Sequence, residues 1–312
     1  MEKGERLVCV TGAGGFVASW LVKLLLSNHY TVRGTVRDPS DVKCEPLKKL
    51  ENAAENLKLF KADLLDYESI SAAIKGCVGV FHVASPVPST SLMEPAVRGT
   101  LNVLKASAEA KVKRVVFVSS VTAIGLNLNW PNDKVKDESC WSDLDYCKRT
   151  NNWYFASKTE AEMKAFEYAK SSGLDLVTVC PTLVLGPLMY SVVNSSNLVL
   201  IKLLKERYES AENKLRMIVD VRDVAEALRL VYERPEAEGR YICTAHQIRV
   251  RELVDKLKSI YPNYNYPKYF TEVSEEGRVS SEKLQRLGWR YRPLEETLVH
   301  SIESYKKLGI LN

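Results

Sequence analysis

The stretch Leu7-Val8-Cys9-Val10-Thr11-Gly12-Ala13-Gly14-Gly15-Phe16-Val17-Ala18 decides the fold. A short apolar run ends in a cluster of glycines, and helical apolar spacing begins at once over Phe16 to Ser27. Strand, glycine turn and helix in immediate succession can seat a pyrophosphate: free backbone N–H groups and the helix dipole face the anion, and the missing side chains let it approach. The common dinucleotide spacing puts glycine at position 17, where Val17 stands. The small residues fall instead at Gly12, Gly15 and Ala18, a shifted Gly-x-x-Gly-x-x-Ala. Thr11, Gly12, Gly14, Gly15, Phe16 and Val17 are therefore candidate cofactor contacts. A tight turn that binds nothing is the bland alternative, and the flanking strand and helix weigh against it.

Working outward, nearly continuous apolar runs at Leu7 to Thr11, Tyr30 to Val36, Leu57 to Ala62, Gly79 to Val83, Arg114 to Ser119 and Leu174 to Cys180 read as strands buried on both faces. Helical patterns at Phe16 to Ser27, Tyr67 to Lys75, Glu94 to Ala110 and Trp153 to Ser172 fall between them. Alternation of this kind predicts an α/β fold with a Rossmann-type doubly wound parallel sheet. After Gly186-Pro187 it fails, although Met217 to Val221 reads as a strand leading into a helix at Asp223 to Glu233. The expected division is a dinucleotide-binding domain of residues 1–187 plus about 217–243, and a smaller, less regular substrate lobe of about 188–216 plus 244–312.

The end of the second strand bears on the cofactor. An NAD site usually carries an acid there, about 20 residues past the turn, but this strand ends in Arg37, whose guanidinium suits a 2′-phosphate. NADPH is the expected cofactor. Lys43 would add a second charge or simply be a solvated helix start. Asp38 reads as a turn residue and Arg33 as structural, while Asp63 and Leu64 are placed to bracket an adenine.

Tyr154 and Lys158 stand at i and i+4 on one face of the proposed fourth helix. A nearby ammonium favours the phenolate, so the tyrosine is expected to exchange a proton near neutrality. The spacing alone is weak: Tyr264 and Lys268 share it, between Pro262 and Pro267, where no helix is expected. Tyr154 differs because a strand ends upstream in Ser119-Ser120, at the sheet edge where open α/β proteins bind ligands. Hydroxyl, tyrosine and lysine around a nicotinamide make a carbonyl-reduction site, with Tyr154 as proton donor and a serine as hydrogen-bond donor to the oxyanion. The residues alone do not separate Ser119 from Ser120.

These residues, with Val80-Phe81-His82-Val83-Ala84-Ser85-Pro86, Asp137-Glu138-Ser139-Cys140-Trp141-Ser142-Asp143, Cys180 to Pro187 and Asp220 to Ala225, carry a resemblance over nearly the whole chain. It resembles the extended short-chain dehydrogenases of plants and is similar to their cinnamoyl-CoA reductase and dihydroflavonol reductase branch, for which Asp-Glu-x-Cys-Trp-Ser-Asp is fairly specific. The resemblance implies Ser120, Tyr154 and Lys158 as catalytic residues. It also implies that Val83, Ala84, Pro181, Thr182, Leu183 and Val184 line the nicotinamide pocket, with Ser85 and Ser119 beside them and Lys158 on the nicotinamide ribose. Authentic cinnamoyl-CoA reductases read Asn-Trp-Tyr-Cys-Tyr-Gly-Lys across the catalytic helix, whereas this chain has Phe155 in the cysteine's place. The dihydroflavonol reductases differ by a longer insert before the tyrosine and an Asn shortly after the serine. The implied activity is NADPH-dependent reduction of a phenylpropanoid carbonyl, either a hydroxycinnamoyl-CoA thioester or a cinnamaldehyde. A dihydroflavonol-type ketone reductase and a catalytically silent NADP sensor are the alternatives.

The chain has 312 residues, with 44 Lys and Arg against 39 Asp and Glu, a formal charge of +5 too small and too dispersed for a nucleic-acid surface. No apolar run approaches the length of a membrane span. The start, Met1 to Arg6, lacks a signal-peptide pattern, so a cytoplasmic protein is expected. The seven cysteines are never spaced Cys-x-x-Cys, so reduced thiols and no metal site are expected, with Cys140 and Cys147 the pair weighed for a disulfide. Lys202, Lys205, Arg207, Lys214 and Arg216 would meet CoA phosphates or form a solvated face. Tyr261, Tyr264, Tyr266 and Tyr269 are expected to pack under a proline-rich loop, and His82 to serve structure rather than catalysis.

Overall fold

The computed structural model describes residues 6–85, 93–131, 133–205, 209–273 and 277–311. Pro86 and Arg207 of the sequence reading lie outside them. Strands β1 (Leu7–Thr11), β2 (Thr31–Val36), β3 (Leu57–Lys61), β4 (Gly79–His82), β5 (Arg114–Val118) and β6 (Leu176–Pro181) follow the expected runs closely. Six more follow: β7 (Leu183–Leu185), β8 (Ser210–Glu212), β9 (Leu215–Asp220), β10 (Gly239–Cys243), β11 (His246–Arg249) and β12 (Tyr269–Thr271).

The main sheet has seven strands in the order β10-β6-β5-β4-β1-β2-β3, every neighbouring pair parallel. Residues of β4, β5 and β6 are buried throughout, which is why their sequences lack polar alternation. Helices Phe16–Ser27 and Val221–Glu233 cover one face through Leu21, Leu25, Val224 and Leu228. Helices Tyr67–Ile74, Met93–Glu109 and Trp153–Ser172 cover the other through Ile70, Val103, Ala161 and Ala165. The strand order reverses between β1 and β4, and a crevice opens there at the carboxyl ends.

The expected strand near Met217 exists as β9, but it sits in a second sheet, β11-β9-β7, antiparallel to β11 and parallel to β7. The chain returns to the main sheet only at β10, which pairs with β6. Helix Ser195–Lys205, within a stretch that reads as irregular, buries Asn197, Leu200, Ile201 and Leu204, one face at helical spacing. It packs with helices Val250–Ile260 and Leu294–Lys307 in a separate apolar core. Among the described residues no helix is long and apolar enough to cross a membrane.

Candidate active site

A cleft of about 790 Å³ runs along the carboxyl edge of the sheet from Arg37 to Lys158. At its centre the glycine turn is tied to both neighbouring strands. Gly12 N–H donates to Thr35 Oγ1 at 3.1 Å, and Ala13 N–H to the Thr35 carbonyl at 2.9 Å. Thr11 is fully buried, and its hydroxyl oxygen accepts from the N–H groups of Val83 and Ala84, both at 3.0 Å. Gly12 has φ +66°, and a Cβ there would fall 2.9 Å from Ala84 Cβ, so the position needs glycine on two counts. Gly15 starts helix Phe16–Ser27 with no side-chain cap, which leaves a bare helix N-terminus on the cleft.

At one end of the cleft the two arginines of β2 and its exit separate. Arg33 donates to the carbonyls of Ala73 and Lys75, a structural use, while Arg37 is exposed and lines the cleft. Asp38 folds back on its own turn, accepting from Ser40 N–H at 2.9 Å and Ser40 Oγ at 2.7 Å, as expected of a turn residue. Lys43 also lines the cleft and pairs with Asp41 at 2.8 Å. Asp63 and Leu64 line the same end, with Asp63 Oδ1 accepting from Leu65 N–H at 2.8 Å.

At the other end Ser120, Tyr154 and Lys158 meet on the cleft wall. Ser119 and Ser120 are distinguishable here: Ser119 Oγ donates to the buried Glu162 at 2.8 Å, whereas Ser120 Oγ accepts from Thr122 N–H at 3.2 Å and lines the cleft with Tyr154. Burial raises the Tyr154 pKa, and the Ser120 hydroxyl opposes the rise. That is opposite to the lowering expected from Lys158. The ammonium is itself desolvated, its pKa brought down to about 8, with Glu162 holding it up against that burial. His82, buried between Thr11 Oγ1 at 2.9 Å and Thr100 Oγ1 at 3.2 Å, is driven down to about 3 by burial first and Lys158 second. It is a neutral structural residue.

The Asp137-to-Asp143 motif braces the segment that follows Ser120. Ser142 Oγ donates to the Thr122 carbonyl at 2.8 Å and accepts from Leu126 N–H at 2.9 Å, while Asp143 caps helix Leu144–Arg149 through Tyr146 N–H at 2.9 Å.

The sequence profile described as the NAD dependent epimerase/dehydratase family matches residues 8–243. The chain belongs to that family. Within it the chain is 47% identical over 312 residues to cinnamoyl-CoA reductase 1 of Petunia hybrida, covering 98% of this chain and 94% of that protein. The expected likeness to the cinnamoyl-CoA reductase branch is thus borne out along almost the full length. Vestitone reductase from alfalfa (Medicago sativa) superimposes with a TM-score of 0.85 at 33% identity, over 98% of this chain and 99% of that one. A yeast methylglyoxal/isovaleraldehyde reductase complexed with NADPH superimposes with a TM-score of 0.83 at 26% identity, over 98% and 100% of the two chains.

In this family member, the expected contacts Gly12, Gly14, Gly15, Phe16, Val17, Val83, Ala84, Ser85, Ser119, Pro181, Thr182 and Val184 all line the cleft. Thr11 and Leu183 do not: Thr11 supports the turn from below, and Leu183 packs against the core of the small lobe. Tyr190, Val192, Asn194 and Ser196 line the cleft from the small lobe, and no local pattern in the sequence marks them. Of the basic residues read there, Lys202, Lys205, Lys214 and Arg216 do not line this cleft, and Lys205 donates to the Ile310 carbonyl while Lys214 pairs with Glu212. Tyr266 is buried and donates to the Tyr261 carbonyl at 2.8 Å, in keeping with packing, whereas Tyr269 is 67% exposed and departs from that expectation. All seven cysteines are free and buried.

Proposed function

We propose that this chain is an NADPH-dependent reductase of phenylpropanoid carbonyls, converting a hydroxycinnamoyl-CoA thioester to the aldehyde or a cinnamaldehyde to the alcohol. The convergence of Ser120, Tyr154 and Lys158 at the end of a dinucleotide-shaped cleft, in a chain 47% identical to a cinnamoyl-CoA reductase, supports it most directly. The bare helix N-terminus on the cleft suits a pyrophosphate, and Arg37 with Lys43 suits a 2′-phosphate. NADPH supplies the hydride when bound. Tyr154 gives its proton to the carbonyl oxygen, Ser120 hydrogen-bonds that oxygen, and Lys158 holds the ribose hydroxyls and stabilises the charge left on the phenol. A reduced thioester collapses from the hemithioacetal to aldehyde and free CoA, while a reduced aldehyde stops at the alcohol.

Phe155, the departure from the cinnamoyl-CoA reductase pattern, does not line the cleft; its ring edge lies 3.5 Å from where a Cβ on Gly125 would stand. The substitution therefore gives no contact in the cleft that argues against a thioester. Residues 1–187 with about 217–243 form the dinucleotide-binding unit in this reading, the rest contributes the substrate wall, and the protein works in the cytosol. NADPH oxidation measured side by side with feruloyl-CoA, coniferaldehyde and dihydroquercetin tests it. Turnover of either of the first two supports the reading. Preference for dihydroquercetin replaces it with a ketone reductase, and silence with all three rejects it in favour of a dinucleotide sensor.

A further inference from the structure

Behind the cleft lies a buried charge pair that the reaction outlined above does not use. Glu162 follows Lys158 by one turn of helix Trp153–Ser172 and is fully buried. Its carboxylate accepts from Ser119 Oγ at 2.8 Å, Thr178 Oγ1 at 2.6 Å, and Arg240 Nε and Nη2, each at 3.0 Å. Arg240, on β10, spends its remaining donors on the carbonyls of Glu138 at 3.0 Å, Cys140 at 2.6 Å and Ala123 at 3.4 Å. Its guanidinium stands 3.5 Å from the centroid of the Trp141 ring. One carboxylate thus joins the end of β5, the catalytic helix, β6 and, through Arg240, the loop that braces the segment after Ser120.

We propose that Glu162, clamped by Arg240, is a positioning residue of the reductase site, fixing the Ser119-Ser120 strand end and countering the Lys158 ammonium from one turn below. The pair costs desolvation, which a saturated hydrogen-bond set offsets. The groups facing Lys158 are Glu162 on its own helix, Cys180 on β6 and His82 on β4, with Arg240 on β10 facing Glu162. Burial raises the Cys180 thiol well above its ordinary value and keeps His82 neutral. Glu162 is the anion left to oppose the desolvation of Lys158.

The role at the reductase site rests on the proposed function, but its first test does not. Acetylation of Lys158 by acetic anhydride in the cofactor-free protein, followed by mass spectrometry against pH, reads the ammonium without any substrate. Glu162→Gln should lower the labelling midpoint by about one pH unit, making Lys158 roughly tenfold more reactive at a fixed pH below it. Glu162→Asp should fall between the two. An unmoved midpoint in a variant with an intact circular-dichroism spectrum overturns the proposal, and where Glu162→Gln does not fold, Glu162→Asp decides on the same terms. The alkaline limb of kcat/KM should move with the midpoint while the KM for NADPH stays within about twofold. A midpoint that moves while the limb stays still overturns the assignment to the reductase site. A moved midpoint in a chain whose wild type reduces none of the three carbonyls leaves the Glu162–Lys158 coupling standing and rejects the substrate class instead.

Discussion

The hydroxyl of Tyr190 donates to the carbonyl oxygen of Gly14 at 2.6 Å, across 176 positions of chain. The bond fastens the segment after Pro187 to the turn on which a pyrophosphate would rest, and Trp20 Nε1 donates to the Pro187 carbonyl at 2.8 Å just before that segment. Burial raises the Tyr190 pKa to about 12, so the donor keeps its proton through the working pH range. One phenol thus ties the segment after Pro187 to the glycine turn.

Tyr190→Phe should therefore weaken NADPH binding by about fivefold, the equivalent of ~1 kcal/mol for one neutral hydrogen bond. Turnover at saturating cofactor should change little. Fluorescence titration with NADPH checks this, and an unchanged Kd would separate the contact from cofactor binding.

Arg37→Ala should cost about 1.5–3 kcal/mol of NADPH affinity, roughly tenfold to a hundredfold, with NADH little changed. Arg33 is engaged with carbonyls of helix Tyr67–Ile74 and its exit and cannot substitute for it. Titration with both cofactors decides. An equal loss for both would move the 2′-phosphate contact elsewhere on the cleft.

The main sheet was readable because strands buried on both faces leave long apolar runs, and helix Trp153–Ser172 was readable because Ala161, Ala165 and Ala169 recur at helical spacing and are buried together. The partner sheet of β9 was not readable, since an apolar run says that a strand is buried and not which neighbour it pairs with. Helix Ser195–Lys205 hid behind Lys202, although Asn197, Leu200, Ile201 and Leu204 keep helical spacing. At the site, Tyr154 and Lys158 announced themselves by spacing and by the serines upstream. Glu162 continues that spacing by one more turn, but its meaning depends on Arg240, 78 positions away on another strand. Tyr190 carries no local signal, because its role is a contact with the distant glycine turn.

Tyr154→Phe should reduce turnover by about 10²–10⁴-fold, the usual worth of a positioned proton donor, with the Kd for NADPH nearly intact. The ring lines the cleft wall, so removing one oxygen leaves that wall in place. Stopped-flow NADPH oxidation beside equilibrium titration checks both halves. Retained turnover would take the proton-donor role from Tyr154.

His82 links the site to acid stability. Its folded pKa of about 3 lies below the reference value of 6.5, so the unfolded chain binds more protons between those limits. The stability it contributes is complete above pH 6.5 and is lost as pH falls from there toward 3, with a total on the order of a few kcal/mol. The loss should reach the site, because the same imidazole bonds Thr11, whose hydroxyl holds Val83 and Ala84 against the glycine turn. Urea unfolding at a series of pH values should show stability falling below pH 6.5 in the wild type, and a flatter dependence between pH 6.5 and 4.5 in His82→Gln, which keeps a polar group for the two threonines but cannot gain the proton. Equal slopes for the two proteins would assign the acid loss to carboxylates and leave His82 out of it.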